Sequence, residues 1–172
     1  MTEPEEIIEA RFAAMIASAV PGVAVVGLLT PSEPGTEKTA PDTRISIAAD
    51  VDEQSFDSRV ANVPYRFTVR ITVRVALADD ASGILFRDTC RAVYGAIHGI
   101  LGDGCSAVSA DGFTCDGVTR DTTATNIDTS ANNENSAWTK TYPLAVTGRY
   151  SQDSGTTETT ETTGTDASES TT

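Results

Sequence analysis

A chain of 172 residues fits one domain and is long enough to bury a core without disulfides or metal. Its formal charge of -13, from 25 acids against 12 bases, disfavours attraction to nucleic-acid phosphates and starts a DNA-binding reading poorly. Cys90, Cys105 and Cys115 contain no CxxC pair, which argues against a zinc site or a disulfide framework and for reduced thiols in a cytosolic setting.

Residues 2–19 read as an amphipathic helix, with Thr2 and Glu5 as a capping box and Ile8, Phe12, Met15, Ile16 and Ala19 at helical spacing. Glu3, Glu5 and Glu6 stand where a signal peptide would carry bases, and no apolar run reaches the roughly eighteen residues of a membrane span. Pro21 and Gly22 end the helix. The short apolar run at 23–29 predicts a buried strand, and the proline-rich stretch at 30–42 a loop. A second strand is expected at 43–49, followed by an acidic loop at 50–63 that closes on Pro64.

Residues 65–77, YRFTVRITVRVAL, are the strongest signal in the chain. Tyr65, Phe67, Val69, Ile71, Val73, Val75 and Leu77 alternate with Arg66, Thr68, Arg70, Thr72, Arg74 and Ala76, a period of two without a miss. The pattern predicts the central strand of an antiparallel sheet, with one face in a core and the other carrying a row of arginines. Asp79, Asp80 and Ser82 then offer caps for a helix at 83–101. In that helix Phe86, Cys90, Val93, Ile97 and Ile100 form an apolar stripe, widened by Leu85, Ala92 and Ala96. Gly102 and the pair Asp103 and Gly104 terminate it.

A strand is expected near 113–118 and an exposed loop at 121–136. Residues 137–150 alternate again, with Trp138, Tyr142, Leu144, Val146 and Tyr150 on one parity, and Pro143 marks this strand as an edge or a bulged one. Residues 1–150 form the domain on this reading. Residues 151–172 carry acid, Ser, Thr and Gly with no large apolar side chain, a composition that predicts disorder. The fold class is therefore α+β: an antiparallel or mixed sheet with two helices packed on one face.

Catalytic chemistry finds few residues to work with. His98 is the single histidine, so no Ser-His-Asp or Cys-His pair can form except through it, and its place beside the apolar stripe reads as structural. Asp50 and Asp52 open like a calcium loop, but Ser55 stands where the turn glycine belongs and Ala61 where the closing glutamate belongs. No catalytic residue, cofactor or metal is expected. Two readings stand open for Arg66, Arg70 and Arg74: a solvated face, or a subunit interface meeting acids of a neighbour such as Asp50, Asp52, Glu53 and Asp57. Cations on an acidic chain point to an acidic protein partner.

The order of elements over residues 2–150, with PYRFTVRITVRVALADDASG at 64–83 and WTKTYPLAVTGRY at 138–150, resembles the tail terminator proteins of long-tailed bacteriophages and the related tail-completion and neck proteins. The resemblance implies a non-enzymatic ring, typically of six copies, on the head-proximal end of the tail tube. It implies the tube protein and the head connector as partners, with DNA passing through the channel without specific binding and no membrane contact. The location implied is the virion tail or neck, reached from the host cytoplasm during assembly. Another head-tail connector or a tail tube subunit is the nearest alternative, and a small soluble enzyme a distant one.

Overall fold

The computed structural model describes residues 3–28, 43–54, 62–109, 112–121 and 137–151. They form an α+β arrangement in one layer of sheet and one of helix. Helix α1 is Pro4–Ala19, followed by strands β1 (Ala24–Gly27), β2 (Arg44–Gln54) and β3 (Asn62–Ala76). Helix α2 is Ile84–Gly102, followed by strands β4 (Phe113–Arg120) and β5 (Ala137–Ser151). The strand order is β1-β2-β3-β5-β4, parallel between β1 and β2 and antiparallel elsewhere, so the sheet is mixed and β3 is its centre.

The alternation in β3 works as expected because both neighbours match it in register. Val69 lies between Ala49 of β2 and Leu144 of β5, Ile71 between Ile47 and Tyr142, and Phe67 between Val51 and Val146. Phe67, Val69, Ile71, Val73 and Val75 are each fully buried, and full burial of one such side chain stabilises by about 1.5–3 kcal/mol. A one-residue slip would turn all five outward and all three arginines inward. Ile8, Phe12 and Ile16 of α1 and Cys90, Val93, Ile97 and Ile100 of α2 close the core from the same side of the sheet.

Helix α2 is held at its start by Asp80, which is buried. Its carboxylate accepts hydrogen bonds from the Ile84 amide at 3.0 Å, the Phe86 amide at 2.8 Å and the Ser82 hydroxyl at 3.0 Å, satisfying donors that the first turn leaves open. Gly83 takes a left-handed φ of 71° at the N-cap, with the Trp138 ring close against it. Trp138 donates from Nε1 to the Asp80 carbonyl at 3.1 Å and stacks on Phe86, tying the start of β5 to the start of α2.

Several expectations change. Glu3, with no side-chain capping hydrogen bond, occupies the N-cap of α1, and Thr2 lies outside the described residues. Ala19 is exposed rather than part of the buried stripe. β1 is a half-buried strand with β2 on one side, not a buried one, because it stands at the end of the strand order. Leu85 is 40% exposed and does not widen the stripe of α2, since it lies about 100° round the helix from Phe86.

The largest difference concerns residues 50–54 and 62–63, expected in a loop. β2 runs on to Gln54 and β3 starts at Asn62, so Asp50, Asp52 and Glu53 belong to a strand, with a bulge between Val51 and Glu53 that leaves Asp52 as the additional residue. Asp57 lies outside the described residues. Pro64 sits inside β3, one residue past the last paired position of β2, which is Gln54 opposite Tyr65. β5 is neither an edge strand nor bulged, for it pairs with β3 along its whole length and with β4 from Leu144 to Tyr150. The proline signal had a local cause: Pro143 stands where the pairing with β4 has just ended. The second bulge falls in β4, between Cys115 and Gly117. Ser151, expected in the disordered tail, is the last residue of β5 and pairs with Asn62, while residues 152–172 lie outside the described residues, as do the expected loop at 30–42 and, apart from Asp121, the one at 121–136.

Candidate functional site: the uncovered face of the sheet

With both helices on one side, the other face of the sheet is left uncovered among the described residues. Arg66, Arg70 and Arg74 run along its middle, because β3 gives that parity to arginine and threonine. Thr147, Pro143 and Thr139 of β5 lie directly opposite them on one side. On the other side stand Glu53, Ala48 and Arg44 of β2. Thr72 and Thr141, paired across the ladder, share a hydroxyl hydrogen bond of 3.0 Å. Ala76, Ala137 and Ala145 fill the gaps between the larger side chains and are themselves buried.

The structure places three of the expected acids, Asp50, Asp52 and Glu53, in the same sheet as the arginines. Asp50 forms an ion pair with Arg70 of its own chain, the two side chains being 50% and 53% exposed. Asp52 accepts a hydrogen bond from Thr68, and Glu53 is the register partner of Arg66. Arg149 of β5 pairs with Asp116, the residue bulged out of β4, at 3.0 Å. Much of the charge on this face is thus matched within the chain. The long separation in sequence between Asp50 and Arg70 disappears once β2 and β3 lie side by side.

The groups with catalytic potential stand elsewhere. His98, exposed on α2, accepts at Nε2 from the Arg120 guanidinium at 3.0 Å and meets the Tyr94 ring edge-on at 4.6 Å. Cys90 and Cys115 are buried, and burial pushes the Cys90 thiol up. Burial also pushes the Tyr142 phenol well above its ordinary value, reinforced by Cys90, whose carbonyl accepts the hydroxyl at 3.1 Å. Tyr65 is shifted upward by burial, with smaller contributions from Glu5 and Tyr150. Among the described residues no group of three or more His, Cys, Asp or Glu side chains could hold a metal ion, and no helix is long and apolar enough to cross a membrane.

Nothing in the sequence marks Tyr94, Arg120 and Lys140 as a group. Arg87, Arg91, Tyr94 and His98 do repeat at spacings of four, three and four, a second stripe on α2 that was legible beside the apolar one. Arg120 and Lys140 join it only through the strand order.

The fold and this surface define a class: a single-domain α+β protein whose sheet has one face in the core and one presented outward. No protein-family model matches the chain, and no curated protein matches it.

Proposed function

We propose that this chain is a virion assembly protein of the tail-terminator kind. Copies of it form a ring, typically of six, that caps the tail tube and joins it to the head connector. The observation that supports this reading is the uncovered sheet face. β3 and β5 are each 15 residues long and lie side by side, giving a surface of about 50 Å along the strands, lined largely by arginine, threonine and alanine. A sheet face of that extent fits docking of another protein better than capture of a small molecule, which needs concavity. The row of arginines is the part of it assigned to the neighbouring subunit, with the acids Asp50 and Asp52 beside it supplying the opposite charge. A closed ring also needs a second, different patch on each subunit.

Electron microscopy and light scattering of the purified protein, alone and with tail tubes, test the reading. Discrete rings that stop tube growth support it. Long tubes formed by the protein alone would make it a tube subunit instead. A strict monomer at every concentration, with tubes present or absent, would overturn it.

A further inference from the structure

On the outward face of the sheet Arg70 and Arg149 pair with carboxylates, but Arg120 and Lys140 on its other side pair with none among the described residues. Arg120 ends β4 on the core side of the sheet, opposite Leu144, where it reaches the flank of α2. Its guanidinium carbon lies 4.7 Å from the centre of the Tyr94 ring and its Nη2 is 3.0 Å from His98. Tyr94 meets the guanidinium by its π face and His98 by a ring nitrogen, and neither is a carboxylate. Lys140 stands on the same side of β5, with Nζ 5.0 Å from the centre of the Tyr142 ring. Tyr142 in turn bonds to the Cys90 carbonyl, one turn before Tyr94 on α2. Arg120, Tyr142 and Lys140 thus follow a diagonal across the end of the β4–β5 ladder, and Arg87, Arg91, Tyr94 and His98 continue it along the exposed flank of the helix.

No ion pair joins Arg120 or Lys140 to a carboxylate among the described residues; Arg91 alone in the group has one, a 3.4 Å contact with Asp88 between two well-exposed side chains. Such a pair is worth little. On a chain with 25 acids and 12 bases, this gathering of bases is a local reversal of sign. Tyr94 is 43% exposed beside it and offers an apolar ring to a partner. Held by aromatic contacts, Arg120 and Lys140 lose less freedom on binding an anion than free side chains would.

We infer that the surface formed by Tyr94, His98, Arg120, Lys140 and Arg91 is a docking site for an acidic segment of another protein. Carboxylates of the partner reach Arg120 and Lys140 while an adjacent side chain packs on Tyr94. Nucleic acid carries the matching charge in a denser form, but the field of a chain at -13 opposes the long phosphate track, whereas a short acidic segment meets only the local patch. This site is separate from the uncovered sheet face and does not depend on ring formation.

The test is fluorescence anisotropy at about 0.15 M salt with a labelled peptide of alternating glutamate and threonine, and in parallel with a single-stranded DNA of similar length. The expected result is saturable binding of the peptide, weakened at least about tenfold by Arg120→Glu and by Lys140→Glu. Arg11→Glu, the same change in charge on α1, where Arg11 donates from Nε to the Ala107 carbonyl at 2.6 Å and touches none of these residues, should leave the affinity within about twofold, since at that salt exposed charges more than about 8 Å apart are largely screened. If Arg120→Glu lowers the melting temperature, Arg120→Gln combined with Lys140→Gln takes its place. Absence of saturable binding, equal loss with Arg11→Glu, or tighter binding of the DNA would each overturn the inference.

Discussion

Replacing Gly148 with alanine is a demanding test of the β4–β5 packing. Gly148 lies in β5 opposite Tyr65 on one side and Cys115 on the other, beside the bulge of β4. A Cβ built there would sit 2.3 Å from Cζ of Phe113 and 2.5 Å from the carbonyl oxygen of Thr114. Ordinary carbon contacts lie near 3.5–4.0 Å, so the Phe113 ring would have to retreat by more than about 1 Å. It has nowhere to go, being buried and edge-on to the fully buried Phe67 ring at 5.6 Å. The Thr114 carbonyl belongs to the backbone of β4 and cannot swing aside as a side chain could. Overpacking of this kind costs about 3 kcal/mol, which in a domain of this size lowers the melting temperature by roughly 6–12 °C. Thermal melts followed by circular dichroism, with urea titrations alongside, measure it. Gly95→Ala is the control, because a Cβ there meets nothing within 4 Å on an exposed part of α2 and should stabilise by about 0.5–1 kcal/mol. A melting temperature for Gly148→Ala within about 2 °C of the parent would refute the packing of Phe113 over this glycine.

Arg70→Glu places a second acid beside Asp50, yet both side chains are half exposed, so the monomer should lose no more than about 1 kcal/mol and Asp50→Arg in the same chain should restore it. If the row also meets a neighbour, ring formation seen by light scattering will fail in the single variant and recover incompletely in the double, whereas full assembly in both would place the interface elsewhere. Burial pushes the Asp80 carboxyl up, but the hydrogen bonds from Phe86, Ser82 and Ile84 outweigh it and hold the group below the usual carboxylate range. Its stabilisation is therefore present above about pH 4 and lost as pH falls through the lower folded value, so an acid titration of Asp80→Asn should show a shallower loss of stability than the parent. Tyr142 has the opposite sign: the folded state keeps its proton, so stability should fall as pH rises beyond about 10, and Tyr142→Phe should flatten that decline in alkaline melts. Cys90 and Cys115 should react with a thiol reagent only on unfolding, which a reaction time course in increasing urea would show; fast labelling of either in the native protein would contradict its burial.

Local patterning alone determined most of the architecture. The unbroken alternation of residues 65–77 marked the central strand and assigned its two faces, because a side chain period of two must put every apolar residue on one side when a core lies there. The stripe from Phe86 to Ile100 set α2 and its buried side in the same way, and Asp80 could be read as a cap from its place just before that stripe. What depended on tertiary structure was which residues face each other. Strand order inserted β5 between β3 and β4, so that Pro143 marks the end of one pairing rather than an edge strand. It brought Asp50 to Arg70 across 20 positions of sequence and Thr72 to Thr141 across 69, turning an expected acidic loop into part of the arginine face. It also carried Arg120 to Tyr94 and His98 and set Lys140 beyond the end of β4. Periodicity reports which way a residue points relative to its own element. It carries no information on the register and order of the strands, and those decide which charges are matched within the chain and which are left for a partner.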